Sequence, residues 1–346
     1  MSKIDILSLT DEQLLSKLQD LKLEKYRCAQ ISDWLWKHAV RSFDQMLNLS
    51  KELRTTLEEN FYIPSLNLDK LQTSRDGTIK FRFKLFDGKM IESVLIPVDD
   101  KGRYTVCVSS QVGCSLTCTF CATGQMGLLR QLSASEIFDQ YIEVNKKCLE
   151  VYSNKISNVV FMGMGEPLLN YKNVVFAIQK LISGKGPHLA TRRITVSTAG
   201  ISKMIKKLAD EDFKVNLALS LHAANDEKRR EMMPINDSNN LFSLIEALKY
   251  YHSKTGVKIS YEYIAFEHFN DYLLDAKNLV KLCSHFPVKV NIIEYNNVPG
   301  VEYAKSSDER INDFAKRVRE SGVMVTLRRS RGKDIDAACG QLAIQK

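Results

Sequence analysis

Cys114, Cys118 and Cys121 form a C-x3-C-x2-C run, Cys114-Ser-Leu-Thr-Cys118-Thr-Phe-Cys121. Three thiolates this close can each hold one iron of a [4Fe–4S] cube, whose full ligation takes four cysteines. A set that stops at three leaves one iron open to a ligand that is not a side chain. On spacing alone two other readings stay open: a zinc site completed by a fourth ligand elsewhere, and three ordinary buried thiols.

Other residues of chemical interest lie outside this run. Cys107 precedes it, and Cys339 sits near the far end in Asp334-Ile-Asp-Ala-Ala-Cys339-Gly-Gln. Brought together, they make a redox or nucleophilic pair whose reactivity follows local charge. A cysteine followed by glycine in a polar tail is a poor core residue, whereas Cys107 equally suits a buried strand. Cys28, Cys148 and Cys283 fall in helical patterns and read as inert thiols. Glu92, in Met90-Ile-Glu-Ser-Val-Leu-Ile, is a carboxylate inside an apolar strand, either at a water-facing edge or poised for proton transfer. Gly163-Met-Gly165-Glu166-Pro167 joins a permissive backbone to a carboxylate able to receive an ammonium group, or is a structural turn. Ser197 and Ser220 suit hydrogen bonds to a ribose or carboxylate, or local capping. His222 is a metal ligand or a hydrogen-bonded pocket residue.

The elements that must position these residues follow from periodicity. Residues 1–66 read as a helical accessory domain, with capping-box spacing at Thr10 and Gln13 and helical recurrence of Tyr26, Ile31, Leu35 and Val40. Residues 67–99 read as a β-hairpin extension turning at Asp87-Gly88. From 100 to 346, strand-like runs at 104–108, 156–162, 193–198, 214–221, 257–265, 288–293 and 323–327 alternate with helical stretches. That alternation predicts an α/β fold with a parallel sheet, barrel-like or open, whose chemistry gathers at the carboxyl ends of its strands. The cysteine run, the Gly163–Glu166 loop, Ser197, Ser220 with Leu221 and His222, and Asn296 all fall there.

The 346 residues carry 49 Lys+Arg against 41 Asp+Glu, a formal charge of +8. Arg192-Arg193 and the tail Arg328-Arg329-Ser-Arg331-Gly-Lys333 concentrate the excess and suit a phosphate backbone, or are solvated surface. No apolar run reaches membrane-span length, and the opening Met-Ser-Lys-Ile-Asp-Ile-Leu lacks a signal-peptide core. The expectation is a cytoplasmic protein, where eight cysteines argue for metal or redox chemistry over a disulfide framework.

Taken together, Cys107-Val-Ser-Ser-Gln-Val-Gly-Cys114 through Cys121, Phe161-Met-Gly-Met-Gly-Glu-Pro167, Ser220-Leu-His-Ala, Met233-Pro-Ile-Asn236 and Asp334-Ile-Asp-Ala-Ala-Cys-Gly-Gln-Leu342 resemble the RlmN/Cfr family of radical S-adenosylmethionine (SAM) RNA adenine methyltransferases. The resemblance spans about 92 to 342, and the helical N-terminus is similar to that family's accessory domain. It implies a partial (β/α)6 TIM-like radical SAM barrel. Cys114, Cys118 and Cys121 then hold a [4Fe–4S] cluster whose open iron SAM chelates, and Gly165, Glu166, Ser197, Ser220, Leu221, His222 and Asn296 contact SAM. Cys339 matches the methyl-carrying cysteine, Cys107 its partner, and Glu92 a proton acceptor, a role that competes with Cys107 for the same step.

The chemistry implied answers a difficulty, because an adenine C2–H carbon is not a nucleophile. In the family, the cysteine matching Cys339 takes a methyl group from one SAM. A 5′-deoxyadenosyl radical from a second SAM activates that methyl for addition to the ring, and disulfide formation with the cysteine matching Cys107 releases the product. Family members divide between C2 and C8 of adenine. Arg328-Arg329-Ser330-Arg331-Gly332 is similar to the C2 branch, although Ser330 stands where threonine is usual and Lys333 where an acidic residue is common. The implied partners are large-subunit rRNA, some tRNAs at adenosine 37, and an electron donor such as flavodoxin, with the protein a monomer. A C8 methyltransferase and a zinc-stabilised RNA-binding module are the alternatives.

Overall fold

The computed structural model describes residues 3–98 and 102–344; the expected boundary between 99 and 100 lies outside them. The chain opens with β1 (Ile4–Asp5), α1 (Asp11–Asp20), α2 (Tyr26–Trp36) and α3 (Lys51–Asn60), then β2 (Phe61–Tyr62), which pairs in parallel with β1. Next come β3 (Asn67–Thr73), β4 (Ile79–Lys84), β5 (Met90–Val98) and β6 (Arg103–Cys107). A short hairpin of β7 (Gln111–Gly113) and β8 (Leu128–Gln131) encloses α4 (Ala122–Gln125). There follow α5 (Ala134–Tyr152), β9 (Asn158–Phe161), α6 (Tyr171–Ile182), β10 (Ile194–Thr198), α7 (Ser202–Ala209), β11 (Asn216–Ser220), α8 (Asp226–Met232) and α9 (Leu241–Thr255). The last are β12 (Ile259–Ala265), α10 (Leu273–Cys283), β13 (Val288–Glu294), α11 (Asp308–Glu320) and β14 (Met324–Arg328).

Local chemistry sets the boundaries. Thr10 and Gln13 form the expected capping box on α1, and Ser133 and Glu136 another on α5. Helix α2 stops at Trp36, short of Val40, because the chain turns through Ala39 at φ +50°. Val40 is still buried, but from the loop. Ten strands form one sheet in the order β14-β13-β12-β11-β10-β9-β6-β5-β4-β3. From β6 to β14 the pairing is parallel, and from β3 to β6 antiparallel. Six β/α units thus lead into a further parallel strand, β14. All seven residues of β12 are buried, as expected of a parallel strand covered on both faces.

Strand pairing does not close this sheet; β14 and β3 are its edges. The chain after β14 returns as a strap to the β3–β5 side. Gly332 N donates to Asp76 Oδ2 at 2.9 Å, Ser74 Oγ to Asp334 Oδ1 at 2.5 Å, and Lys80 Nζ to the Asp336 carbonyl at 3.3 Å. Gly332 sits at φ +66°, and an added Cβ would lie 2.7 Å from that of Ala337, so only glycine fits the bend.

The N-terminal module docks on α5. Trp36 stacks edge-on to Phe138 at 4.9 Å, and Arg41 Nη2 lies 2.8 Å from Asp139 Oδ1. Burial pushes the Asp139 carboxyl up to about 7, against the pull of Arg41. Removing one partner of a buried pair costs about 3–5 kcal/mol. The Arg41 side chain keeps 18% exposure and Asp139 can protonate, so Arg41→Met is expected to cost about 3 kcal/mol, the lower end of that range. Thermal melting checks this; an unchanged midpoint would remove the ion pair as a source of stability.

Candidate active site

The carboxyl ends of the parallel strands open on a cavity with about 950 Å³ of empty space, and the strap lies across it. Cys114, Cys118 and Cys121 line one wall. Their loop is gripped on two sides: Thr119 N donates to the Met232 carbonyl at 3.0 Å, and Ala122 N to that of Gly340 at 2.8 Å. The first contact ties the loop to α8, the second to the strap.

Burial raises all three thiol pKa values, that of Cys114 to about 11, and each is raised further by a neighbouring thiol. For Cys121 that neighbour is Cys339. A triplet whose members oppose one another's ionisation carries three negative charges only with positive charge among them. Among the described residues no three His, Cys, Asp or Glu side chains converge on a single-ion position. Three thiols on one cavity wall are a donor set that fits separate irons of one [4Fe–4S] cluster.

Gly163, Gly165 and Glu166 line the next wall. The glycines are required by packing: an added Cβ at Gly163 would sit 2.7 Å from Ser109 Oγ, and at Gly165, where φ is +96°, 2.4 Å from Gln111 Cβ. The Glu166 carboxylate accepts from Leu168 N at 3.0 Å and Ala199 N at 2.7 Å. Burial still pushes it up to about 7, so an ammonium group placed beside it would favour its charged form. Ser197, Ser220 and His222 line the cavity as expected. His222 takes φ +54° and accepts at Nδ1 from Ile264 N at 3.1 Å. Burial lowers its pKa to about 3, leaving a neutral ring with its proton on Nε2.

Leu221 and Asn296 lie outside the cavity lining. Leu221 is buried and its N–H donates to the Glu262 carbonyl at 3.0 Å, while Asn296 Nδ2 donates to Ser330 Oγ at 2.8 Å. Asn296 therefore holds the strap. Glu92 is neither at an edge nor in water: β5 lies between β4 and β6, and Glu92 Oε1 is 3.5 Å from Lys80 Nζ. Its other oxygen accepts from Ala343 N at 3.2 Å. Burial raises its pKa, and Lys80 opposes the rise.

Cys339 lines the cavity from the strap. Cys107, at the end of β6, is buried just behind the lining, its thiol pushed up to about 12 by burial and then by Cys339. The fold therefore brings together two cysteines from opposite ends of the parallel region. Arg328 acts on both: its charge couples to Cys339 and to Cys107. Arg328 and Glu262 are both on the cavity wall; the sequence singled out Arg328 only as part of a basic cluster suited to phosphate, and Glu262 not at all. Glu262 carries the signal that singled out Glu92, a carboxylate inside an apolar strand. Arg229, also missed, is fully buried and donates to the Ala199 carbonyl at 2.5 Å and Asn236 Oδ1 at 2.8 Å.

The expected phosphate patches divide. Arg192 and Arg193 precede β10, at the end opposite the cavity. Glu294 draws in Lys333 at 2.6 Å, Lys305 at 2.9 Å and Arg329 at 3.8 Å. Burial opposes its ionisation, but these contacts hold its carboxyl at about 2. Lys333 and Ser330, the two departures from the family pattern, thus both fasten the strap.

Residues 4–63 match the family model described as ribosomal RNA large subunit methyltransferase N-terminal domain, and residues 108–278 match the radical SAM superfamily. A protein of Cytophaga hutchinsonii named probable dual-specificity RNA methyltransferase RlmN is 51% identical over 99% of this chain and 93% of its own. The chain belongs to the RlmN family. A Campylobacter fetus protein named dual-specificity RNA methyltransferase RlmN is 41% identical over 98% of this chain and 97% of its own. The crystal structure of a radical SAM methyltransferase from Sphaerobacter thermophilus superposes with a TM-score of 0.92 at 38% identity, covering 98% of this chain and 99% of that one. The RlmN-family fold described above, barrel, N-terminal module and strap together, is thus shared along the whole chain. Among the described residues no helix is long and apolar enough to cross a membrane.

Proposed function

We propose that this chain methylates C2 of an adenosine in large-subunit rRNA, and adenosine 37 of some tRNAs, using Cys339 as methyl carrier. The observation that carries the reading is the place of Cys339: on a strap tied to the cysteine loop through Gly340, inside the cavity that also holds the thiol triplet and Glu166. The names of the relatives, dual-specificity RNA methyltransferases, support the substrate class. Cys114, Cys118 and Cys121 would hold a [4Fe–4S] cluster, which together with SAM supplies a carbon radical.

The remaining work belongs to side chains. Glu166 receives the ammonium group of SAM, and Ser197, Ser220 and the Nε2–H of His222 offer hydrogen bonds to its polar parts; Gly165, Leu221 and Asn296 hold the loops around it. The Cys339 thiolate, its proton given up to solvent, would take the methyl group of one SAM: the thioether forms as the sulfonium S–CH3 bond breaks, and S-adenosylhomocysteine leaves. The cavity, walled by Phe161, Ile264 and Ile293, limits the access of water to the reacting groups. The ring proton passes to Glu92, which has Lys80 beside it, or to Cys107, the two acceptors that compete for this step. RNA is the partner, an electron donor such as flavodoxin completes the cycle, and the protein works in the cytoplasm as a monomer.

Mass spectrometry of rRNA and tRNA nucleosides from cells lacking the protein tests this. The expected result is loss of 2-methyladenosine from both, restored by complementation. Loss of 8-methyladenosine instead would transfer the reading to C8, and unchanged nucleosides with stoichiometric zinc in the purified protein would replace it with an RNA-binding module.

A further inference from the structure

We infer that Glu262 and Arg328 read the amine-bearing edge of the target adenine and set the neighbouring ring carbon against Cys339. The inference rests on the RNA methyltransferase reading above. Glu262 Oε1 accepts from Asn291 Nδ2 at 2.8 Å, but Oε2, fully buried on the cavity wall, has no hydrogen-bond partner among the described residues. A buried carboxylate oxygen without a donor is costly, and a ligand donor removes that cost. Arg328 Nη1 stands 3.8 Å from this oxygen, an ion-pair distance too long for a hydrogen bond, and its other polar contact is Met162 Sδ at 3.9 Å. Its fork of donors therefore still has capacity to spend.

Glu262, Arg328 and Cys339 share the wall of one cavity, and the charge of Arg328 couples to both Glu262 and Cys339. The wall thus presents an acceptor, a donor and a thiol in that order. An adenine edge presents the complement: the N6 amine donates, the adjacent ring nitrogen accepts, and the next atom is a C–H carbon. Guanine places an acceptor oxygen opposite the carboxylate and a ring N–H opposite the guanidinium, so both contacts turn repulsive. The residues proposed above to receive polar groups of SAM, Glu166, Ser197, Ser220 and His222, lie at or just past the carboxyl ends of β9, β10 and β11. The Glu262–Arg328 pair, on β12 and β14, remains for a second base.

The test pairs an RNA hairpin carrying adenosine at the target position with one carrying purine riboside, which lacks only the amine. With wild-type holoenzyme, kcat/KM is expected to fall roughly 10- to 100-fold on losing the amine. Glu262→Ala should lose a similar factor on adenosine and treat the two RNAs within about twofold, as expected when both changes delete one contact. An amine penalty as large in Glu262→Ala as in wild type overturns the inference. So does a tenfold loss of SAM affinity in Glu262→Ala measured without RNA, because the carboxylate then serves SAM. If Glu262→Ala fails to fold, Glu262→Gln keeps the shape with a weaker acceptor and should shrink the amine preference; an unchanged preference there also overturns it. A wild-type enzyme that methylates neither RNA overturns the functional reading itself, and this inference with it.

Discussion

Replacing Cys339 with alanine is expected to reduce RNA methylation below detection while leaving iron content and SAM cleavage close to wild type. The contacts that fasten the strap use backbone or other side chains: the carbonyls of Asp336, Gly340 and Leu342, and the N–H groups of Gly332 and Ala343. None uses the Cys339 sulfur, so its removal should leave the strap and the cavity in place. No other thiol can substitute. Cys107 lies behind the lining with its thiol pushed up to about 12 by burial, and Cys114, Cys118 and Cys121 would be taken up by the cluster. Methyladenosine, iron and 5′-deoxyadenosine measured on one preparation separate the outcomes. Methylation at a normal rate would remove Cys339 as the carrier.

Much of this architecture was legible in the sequence, and the parts that were not share a cause. Each strand of the parallel region is long enough for a run of Val, Ile and Leu to mark it, so all seven fall within or beside the expected runs. The β7–β8 hairpin escaped notice because Gln111–Gly113 is only three residues, too short to show a period. The role of Lys80 was hidden by its register. The alternation in Ile79-Lys-Phe-Arg-Phe-Lys reads as charges facing water, yet Lys80 is buried against Glu92 because a later segment, the strap, covers that face. Tertiary cover cannot be read from local pattern.

The charged clusters carry the same lesson. Arg192-Arg193 and the tail looked alike as density of positive charge, but parallel topology sends the first to the amino end of the sheet and the second to the cavity. There Glu294, the last residue of β13, pairs with Arg329 and Lys333 of the tail. The site residues found from the sequence were those inside short, dense motifs. Glu262 was missed, and Arg328 was read only as charge for phosphate, because they stand on separate strands, and only β12, β13 and β14 pairing side by side brings them together.

Replacing Cys107 with alanine is expected to leave the enzyme joined to its RNA. In the proposed sequence the target base becomes bonded through the former methyl carbon to Cys339. Release requires the Cys107 sulfur to attack the Cys339 sulfur: an S–S bond forms, the S–C bond breaks, and its electron pair passes to the carbon, which ends as the product methyl after protonation. Cys107 is placed for this, close enough to Cys339 to feel its charge, with Arg328 favouring the thiolate that burial opposes. Alanine in its place leaves a small void at the end of β6, costing about 1 kcal/mol by comparison with other small core truncations. The variant should therefore fold and carry out the earlier steps. A denaturing gel should show a protein–RNA species that wild type lacks, with free methylated RNA falling to at most one equivalent or less. Free methylated RNA formed over many turnovers would mean that another group breaks the S–C bond, and would leave the pairing of Cys107 with Cys339 without a function.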